Sequence, residues 1–224
     1  MPLFGVPGPI MRARIELKEG YRLVFIGDSI TDADRGLPAY QPFGFGYVHF
    51  VANYLLARYP QSNLAIINTG MGADTIRDLA GRWERDCIRH RPDVLSVLTG
   101  INDLYWNYAE PEQIGRAVYP REYELTYRRL LSRATQECNC RFVLMEPFMF
   151  CSDRENRMFQ GLRRYIEVLH RLADEFDAVL VPLQSRIDEQ IEKVPPEKWS
   201  MDSVHPYVWA HAWIAQRWLE ATSL

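Results

Sequence analysis

The chain has 224 residues, 47% of them hydrophobic and 25% charged. That is the balance of a globular protein and excludes a disordered one. Lys and Arg number 26 against 29 Asp and Glu, a net charge of −3, so composition gives no basic face for nucleic acid.

No apolar run approaches the roughly 20 residues needed to span a bilayer. The opening stretch, MPLFGVPGPI, is short, broken by prolines and lacks a preceding basic residue. It does not read as a secretory signal, so a cytoplasmic protein with no membrane partner is expected. Residues 12–20 (RARIELKEG) alternate like an edge strand. Residues 1–20 are therefore read as an arm that covers the domain or bridges to a second copy, with a homo-oligomer as one outcome. Residues 21–224 are read as a single domain, because no repeat, low-complexity tract or linker interrupts them.

Five short apolar runs then alternate with helical patterns. Arg22–Ile26, Leu64–Asn68, Val94–Leu98, Phe142–Met145 and Ala178–Val181 have the near-continuous apolarity of parallel strands covered on both faces. Apolar residues recur at helical spacing in Phe45–Tyr59, Thr75–Arg89, Tyr123–Glu137, Asn156–Phe176 and Pro206–Glu220. Five βα units in series predict an α/β fold, a three-layer α/β/α sandwich. Right-handed crossovers then favour a flavodoxin-like five-stranded parallel sheet of order 2-1-3-4-5. Ligands of such sheets sit beyond the carboxyl ends of the strands.

The polar clusters fall at that edge. Gly27-Asp28-Ser29 follows the first strand. A serine at a strand-to-helix turn exposes its hydroxyl where the helix dipole favours developing negative charge, although an N-cap serine occupies the same kind of position. The GxSxG elbow is absent, since Thr31 stands where its second glycine would be. Asn68–Thr75, with Gly70 and Gly72, is a loop whose free N–H groups suit an anion. Asn102 follows the third strand; its amide suits an oxyanion or an Asx-turn. Asp202-Ser203-Val204-His205 is a D-x-x-H turn that lets a carboxylate hold one ring nitrogen and leaves the other as a base. Pro206 suits the first position of the following helix. His49, His170 and His211 sit in helical patterns, and His90 reads as a surface partner of Asp86. Cys87, Cys138, Cys140 and Cys151 lack CxxC or zinc spacing, which predicts free thiols.

Together IGDSITD, NTGMGADTIRDL, GIND and DSVHP resemble, in order, the blocks of the SGNH (GDSL) hydrolase family. The chain is most similar to its bacterial acetylxylan esterase branch, through RLVFIGDSITD, the GYV that follows, DTIRDLAGRWERD and PDVLSVLTGINDLYW. The resemblance covers roughly residues 20 to 220. It implies the SGNH hydrolase fold and a serine esterase without metal or cofactor. Ser29 matches the nucleophile, His205 the base and Asp202 its orienting acid. The implied oxyanion donors are the N–H of Ser29, the N–H of residue 73 and the Asn102 amide. The family carries glycine where this chain has Ala73. A backbone N–H survives that change if Ala73 has an ordinary φ, so Ala73 is the favoured donor and Gly72 the alternative.

The expected reaction is deacetylation of a sugar or xylo-oligosaccharide. Tyr105, Trp106 and Trp199 lie next to the site motifs and are candidates for touching the sugar. Rival readings are a lysophospholipase or acyl-thioesterase of the same family, a non-catalytic carbohydrate binder, and a metal phosphohydrolase built on Asp28, Asp32 and Asp34.

Overall fold

The computed structural model describes residues 15–108 and 114–224. Its strands are β1 (Arg22–Gly27), β2 (Ala65–Asn68), β3 (Val94–Leu98), β4 (Arg141–Met145) and β5 (Val179–Val181). Its helices are α1 (Ser29–Asp32), α2 (Tyr47–Arg58), α3 (Ile76–Asp86), α4 (Ile101–Tyr105), α5 (Pro120–Cys138), α6 (Arg157–Glu175), α7 (Leu183–Ile191) and α8 (Val208–Thr222). The sheet is wholly parallel with order β2-β1-β3-β4-β5, the doubly wound topology expected.

The two faces are closed by different helices. On one, α2 packs against α8; on the other, α3 packs against α5 and α5 against α6. This explains why β3 is buried at every residue. Its one polar side chain, Ser96, accepts from Trp218 Nε1 of α8 at 3.0 Å, so its burial is compensated. Trp218 also lies 5.4 Å from the Phe25 ring. Fully burying side chains of this kind contributes about 1.5–3 kcal/mol each. Helix α6 begins where Asn156 accepts from Phe159 N–H at 3.0 Å, and Phe159, Leu162, Tyr165, Leu169 and Leu172 form its buried stripe.

Register decides where the site lies. Gly27 is level with Leu98, Leu98 with Met145, and Met145 with Val181. The residues after β1, β3, β4 and β5 therefore leave the sheet along one edge. Gly27 must be glycine there, because a side chain would collide with the Leu98 carbonyl and Thr31.

Three local expectations need correction. Residues 15–18 form no strand; Ile15 is buried, and its N–H reaches the Thr222 carbonyl at the end of α8. The period-two pattern serves packing of Ile15 and Leu17 on the core instead of sheet pairing. Pro206 does not open α8. It bridges to Ser200, and Tyr207 is the residue before the helix. Helix α7 was not anticipated, although Leu183, Ile187 and Ile191 recur every four residues and are its buried face.

Candidate active site

Asp28 caps α1, accepting from Ile30 N–H at 3.0 Å. The capping role is thus filled by the residue before Ser29, whose hydroxyl is left free. Ser29 opens the helix, so its N–H has no intrahelical acceptor. Its Oγ lies 2.9 Å from His205 Nε2.

His205 Nδ1 lies 2.6 Å from Asp202 Oδ2. A carboxylate only accepts, so Nδ1 donates and Nε2 is left with a lone pair toward Ser29. Asp202 Oδ1 accepts from His205 N–H at 2.7 Å, Val204 N–H at 2.9 Å and Ser200 Oγ at 3.0 Å. Partial burial acts to raise the Asp202 carboxyl, but the His205 ring and these N–H donors outweigh it and hold it well below the usual carboxylate range. The turn is pinned from outside as well: Phe150 N–H donates to the Ser203 carbonyl at 2.8 Å.

Asn102 and Ala73 line the same cleft of about 370 Å³ as Ser29, Asp202 and His205. Asn102 Nδ2 donates one hydrogen to the Asp74 carbonyl at 3.0 Å, which leaves its second hydrogen. Ala73 does not have an ordinary φ. It sits at +64°, in the left-handed region, and among the described residues its N–H has no protein acceptor. Ile101, Tyr105, Trp106 and Val204 complete the walls. The arrangement can relay a proton from a hydroxyl to an imidazole beside unspent N–H donors, as nucleophilic acyl transfer needs.

Trp199 is not at this cleft. It is 2% exposed, stacked on Phe150 at 5.6 Å and packed against Trp209 and Trp213. Its N–H is used by the Val194 carbonyl at 3.1 Å. Its place before the D-x-x-H turn reflects core packing under that turn, which corrects the sugar-contact expectation.

The other histidines and the cysteines have different settings. His211 is buried; its Nδ1 accepts from Tyr47 N–H at 3.2 Å, and burial pushes its pKa down to about 3. Asp86 does not partner His90, because Arg82 and Arg85 occupy its carboxylate at 2.6–2.9 Å. All four cysteines are free thiols, and burial raises each, Cys140 up to about 12. Asp28 caps α1 and Asp32 faces Arg35; among the described residues neither joins a group of side chains suited to hold a metal ion.

Sequence reasoning missed Arg82. It is buried and donates to the Gly27 and Thr69 carbonyls, Asp74 and Asp86 at 2.6–2.9 Å. It ties the end of β1 to the loop that carries Ala73.

Residues 25–213 match the model of the GDSL-like lipase/acylhydrolase family. An acetylxylan esterase of Geobacillus stearothermophilus is 34% identical over 209 residues, 92% of this chain and 95% of that protein. The crystal structure of the Geobacillus stearothermophilus acetylxylan esterase Axe2 superposes with a TM-score of 0.88 at 33% identity, covering 94% of this chain and 97% of that one. The α/β hydrolase enzyme LAE5, from the metagenome of Lake Arreo, gives 0.85 at 33% identity, with 92% and 97% covered. Solved catalytic mutants of Axe2 replace a serine, an aspartate and a histidine by alanine, the last two three positions apart in that chain.

Proposed function

Because the chain belongs to the GDSL-like lipase/acylhydrolase family and is a carboxylic ester hydrolase, we propose that it removes acetyl groups from sugars, xylo-oligosaccharides foremost, through Ser29, His205 and Asp202. The observation that carries this reading is the unbroken run from Ser29 Oγ through His205 to Asp202, at 2.9 and 2.6 Å, inside a cleft that also holds Asn102 and Ala73.

His205 takes the Ser29 proton as Oγ attacks the acetyl carbon. The carbonyl oxygen becomes an oxyanion that accepts from Ser29 N–H, Ala73 N–H and the free hydrogen of Asn102 Nδ2. Asp202 stabilises the imidazolium. His205 then gives its proton to the departing sugar oxygen, leaving an acetyl-serine. Water repeats the sequence: His205 takes its proton as its oxygen adds to the acyl carbon, the acyl–Oγ bond breaks, His205 returns the proton to Ser29 Oγ, and acetate leaves.

Size and walls support a short acyl group on a sugar. A cleft of about 370 Å³ is near the lower end for ligand sites. Tyr105 is 49% exposed and meets Trp106 edge-on at 5.1 Å, so an exposed aromatic ring stands on the cleft wall. The test is a panel of 4-nitrophenyl esters from acetyl to octanoyl, beside acetylated xylo-oligosaccharides. Rates that fall with chain length, with acetate released from the oligosaccharide, are expected. Rates that rise toward octanoyl would move the substrate to longer acyl chains and overturn the sugar reading.

A further inference from the structure

The backbone conformation of Ala73 has to be held in place. For a non-glycine residue the left-handed region carries a population penalty of roughly 5- to 30-fold, by steric crowding of Cβ against the carbonyl. Glycine carries none. At φ +64° Ala73 needs neighbours that over-determine its geometry.

Before it, Met71 N–H donates to the Gly27 carbonyl at 3.0 Å. After it, Asp74 is held through its own carbonyl by Asn102 and through its carboxylate by Arg82. The contact between Asp74 N–H and the Met71 carbonyl is long, at 3.4 Å. The carbonyl of Ala73 itself has one protein donor among the described residues, Arg116 Nη2 at 3.1 Å.

Arg116 is itself placed by the cleft. Its guanidinium carbon lies 4.1 Å from the centre of the Trp106 ring, and Trp106 lines the cleft. Stacking on an indole holds a planar cation more firmly than solvent does. One exposed side chain therefore spans the aromatic wall and the strained peptide.

We propose that Arg116 is a positioning residue for the oxyanion site: stacked on Trp106, it holds the Ala73 carbonyl and keeps Ala73 in the left-handed conformation that presents its N–H to the substrate oxygen. The proposal rests on the reading of Ala73 as an oxyanion donor. It assigns Arg116 work that the family's glycine at this position would not need, because glycine takes the conformation unaided.

The test is a double-mutant cycle of Arg116→Ala and Ala73→Gly, with kcat and KM measured on 4-nitrophenyl acetate. Arg116 is exposed, so its loss leaves the core intact; melting curves check this. In the parent background, Arg116→Ala should lower kcat about 5- to 10-fold, up to the population penalty, with KM within about twofold. In the Ala73→Gly background, the same change should cost kcat less than about twofold. Arg116→Lys, which keeps charge and a donor but loses the flat face, should recover part of the loss. Equal losses in both backgrounds, a change in KM alone, or no loss would each overturn the proposal. Ser29→Ala is run alongside. If it retains turnover, the oxyanion reading itself falls; if it is dead and the coupling is absent, only the role of Arg116 falls.

Discussion

Two carboxylate–imidazole pairs stand along the carboxyl edge of the sheet. Asp202 and His205 are three residues apart on a turn; Glu146, directly after β4, meets His170 of α6 at 2.5 Å across 24 residues. The second pair lines the larger cavity, about 570 Å³ against about 370 Å³. Its carboxylate is the more buried and also accepts from Gln184 N–H at 2.9 Å. The difference lies in which nitrogen each acid takes. Asp202 takes Nδ1, so Nε2 at the far tip of the ring reaches Ser29. Glu146 takes Nε2, which leaves only the nitrogen beside the His170 main chain. On the proposed reading, a pair of this kind acts as a base when its outward nitrogen is free and a hydroxyl stands before it. Neither cavity size nor the shortness of the acid–histidine contact decides that.

The comparison breaks most sharply at the serine. Ser29→Ala and His205→Ala should each lower kcat about a millionfold, with the double variant hardly worse, since the pair acts as one unit. Losses that multiply in the double variant would mean that the two do not share a proton transfer. Asp202→Asn should cost about 10⁴-fold, by giving the imidazole the wrong tautomer. Activity within tenfold of the parent would show that the acid is dispensable. Asn102→Ala should lower kcat about 100- to 1000-fold at nearly constant KM. A rise in KM alone would move Asn102 to substrate binding.

Two buried carboxyls that hydrogen-bond no histidine sharpen the contrast. Burial pushes Asp28 up to about 7 and Asp103 up to about 8. Each has one oxygen bonded to a helix N–H and one buried without a protein partner among the described residues. Both values lie above the unfolded value near 4. Between about pH 4 and 8 the folded state therefore binds more protons than the unfolded one, and this contribution to stability declines as pH rises. Asp103→Asn keeps the acceptor for Ile76 N–H and removes the titration. Its melting temperature should fall less than the parent's from pH 5 to pH 8, by several degrees; parallel slopes would refute the assignment. The smallest effect belongs to the second pair. His170→Gln should leave ester hydrolysis within about twofold, and a larger loss in kcat would give the two pairs a common role.

The sheet was legible because each strand is a run of apolar residues between polar turns, and right-handed crossovers between such runs favour the order observed. The convergence of Ser29, Asn102 and the D-x-x-H turn on one cleft was legible because these segments sit at the ends of those runs. What stayed hidden depends on tertiary acceptors. Arg82 reads as a surface residue within GRWERD, and its burial requires Gly27, Thr69, Asp74 and Asp86 to converge on it. Trp199 reads as a site aromatic until Phe150, Trp209 and Trp213 close around it. The φ of Ala73 is likewise set by contacts, since alanine has no local preference for it.

The separation of Ser29 from His205 also has a consequence in time. The two are 176 residues apart and belong to the first and last βα units. During synthesis Ser29 is made early, and His205 follows 176 residues later. On the proposed reading, a growing chain carries the Ser29 hydroxyl without its base until α8 settles against α2 and Trp218 reaches Ser96. If Ser29 and His205 act together as proposed, hydrolysis reports that the first and last βα units among the described residues have docked.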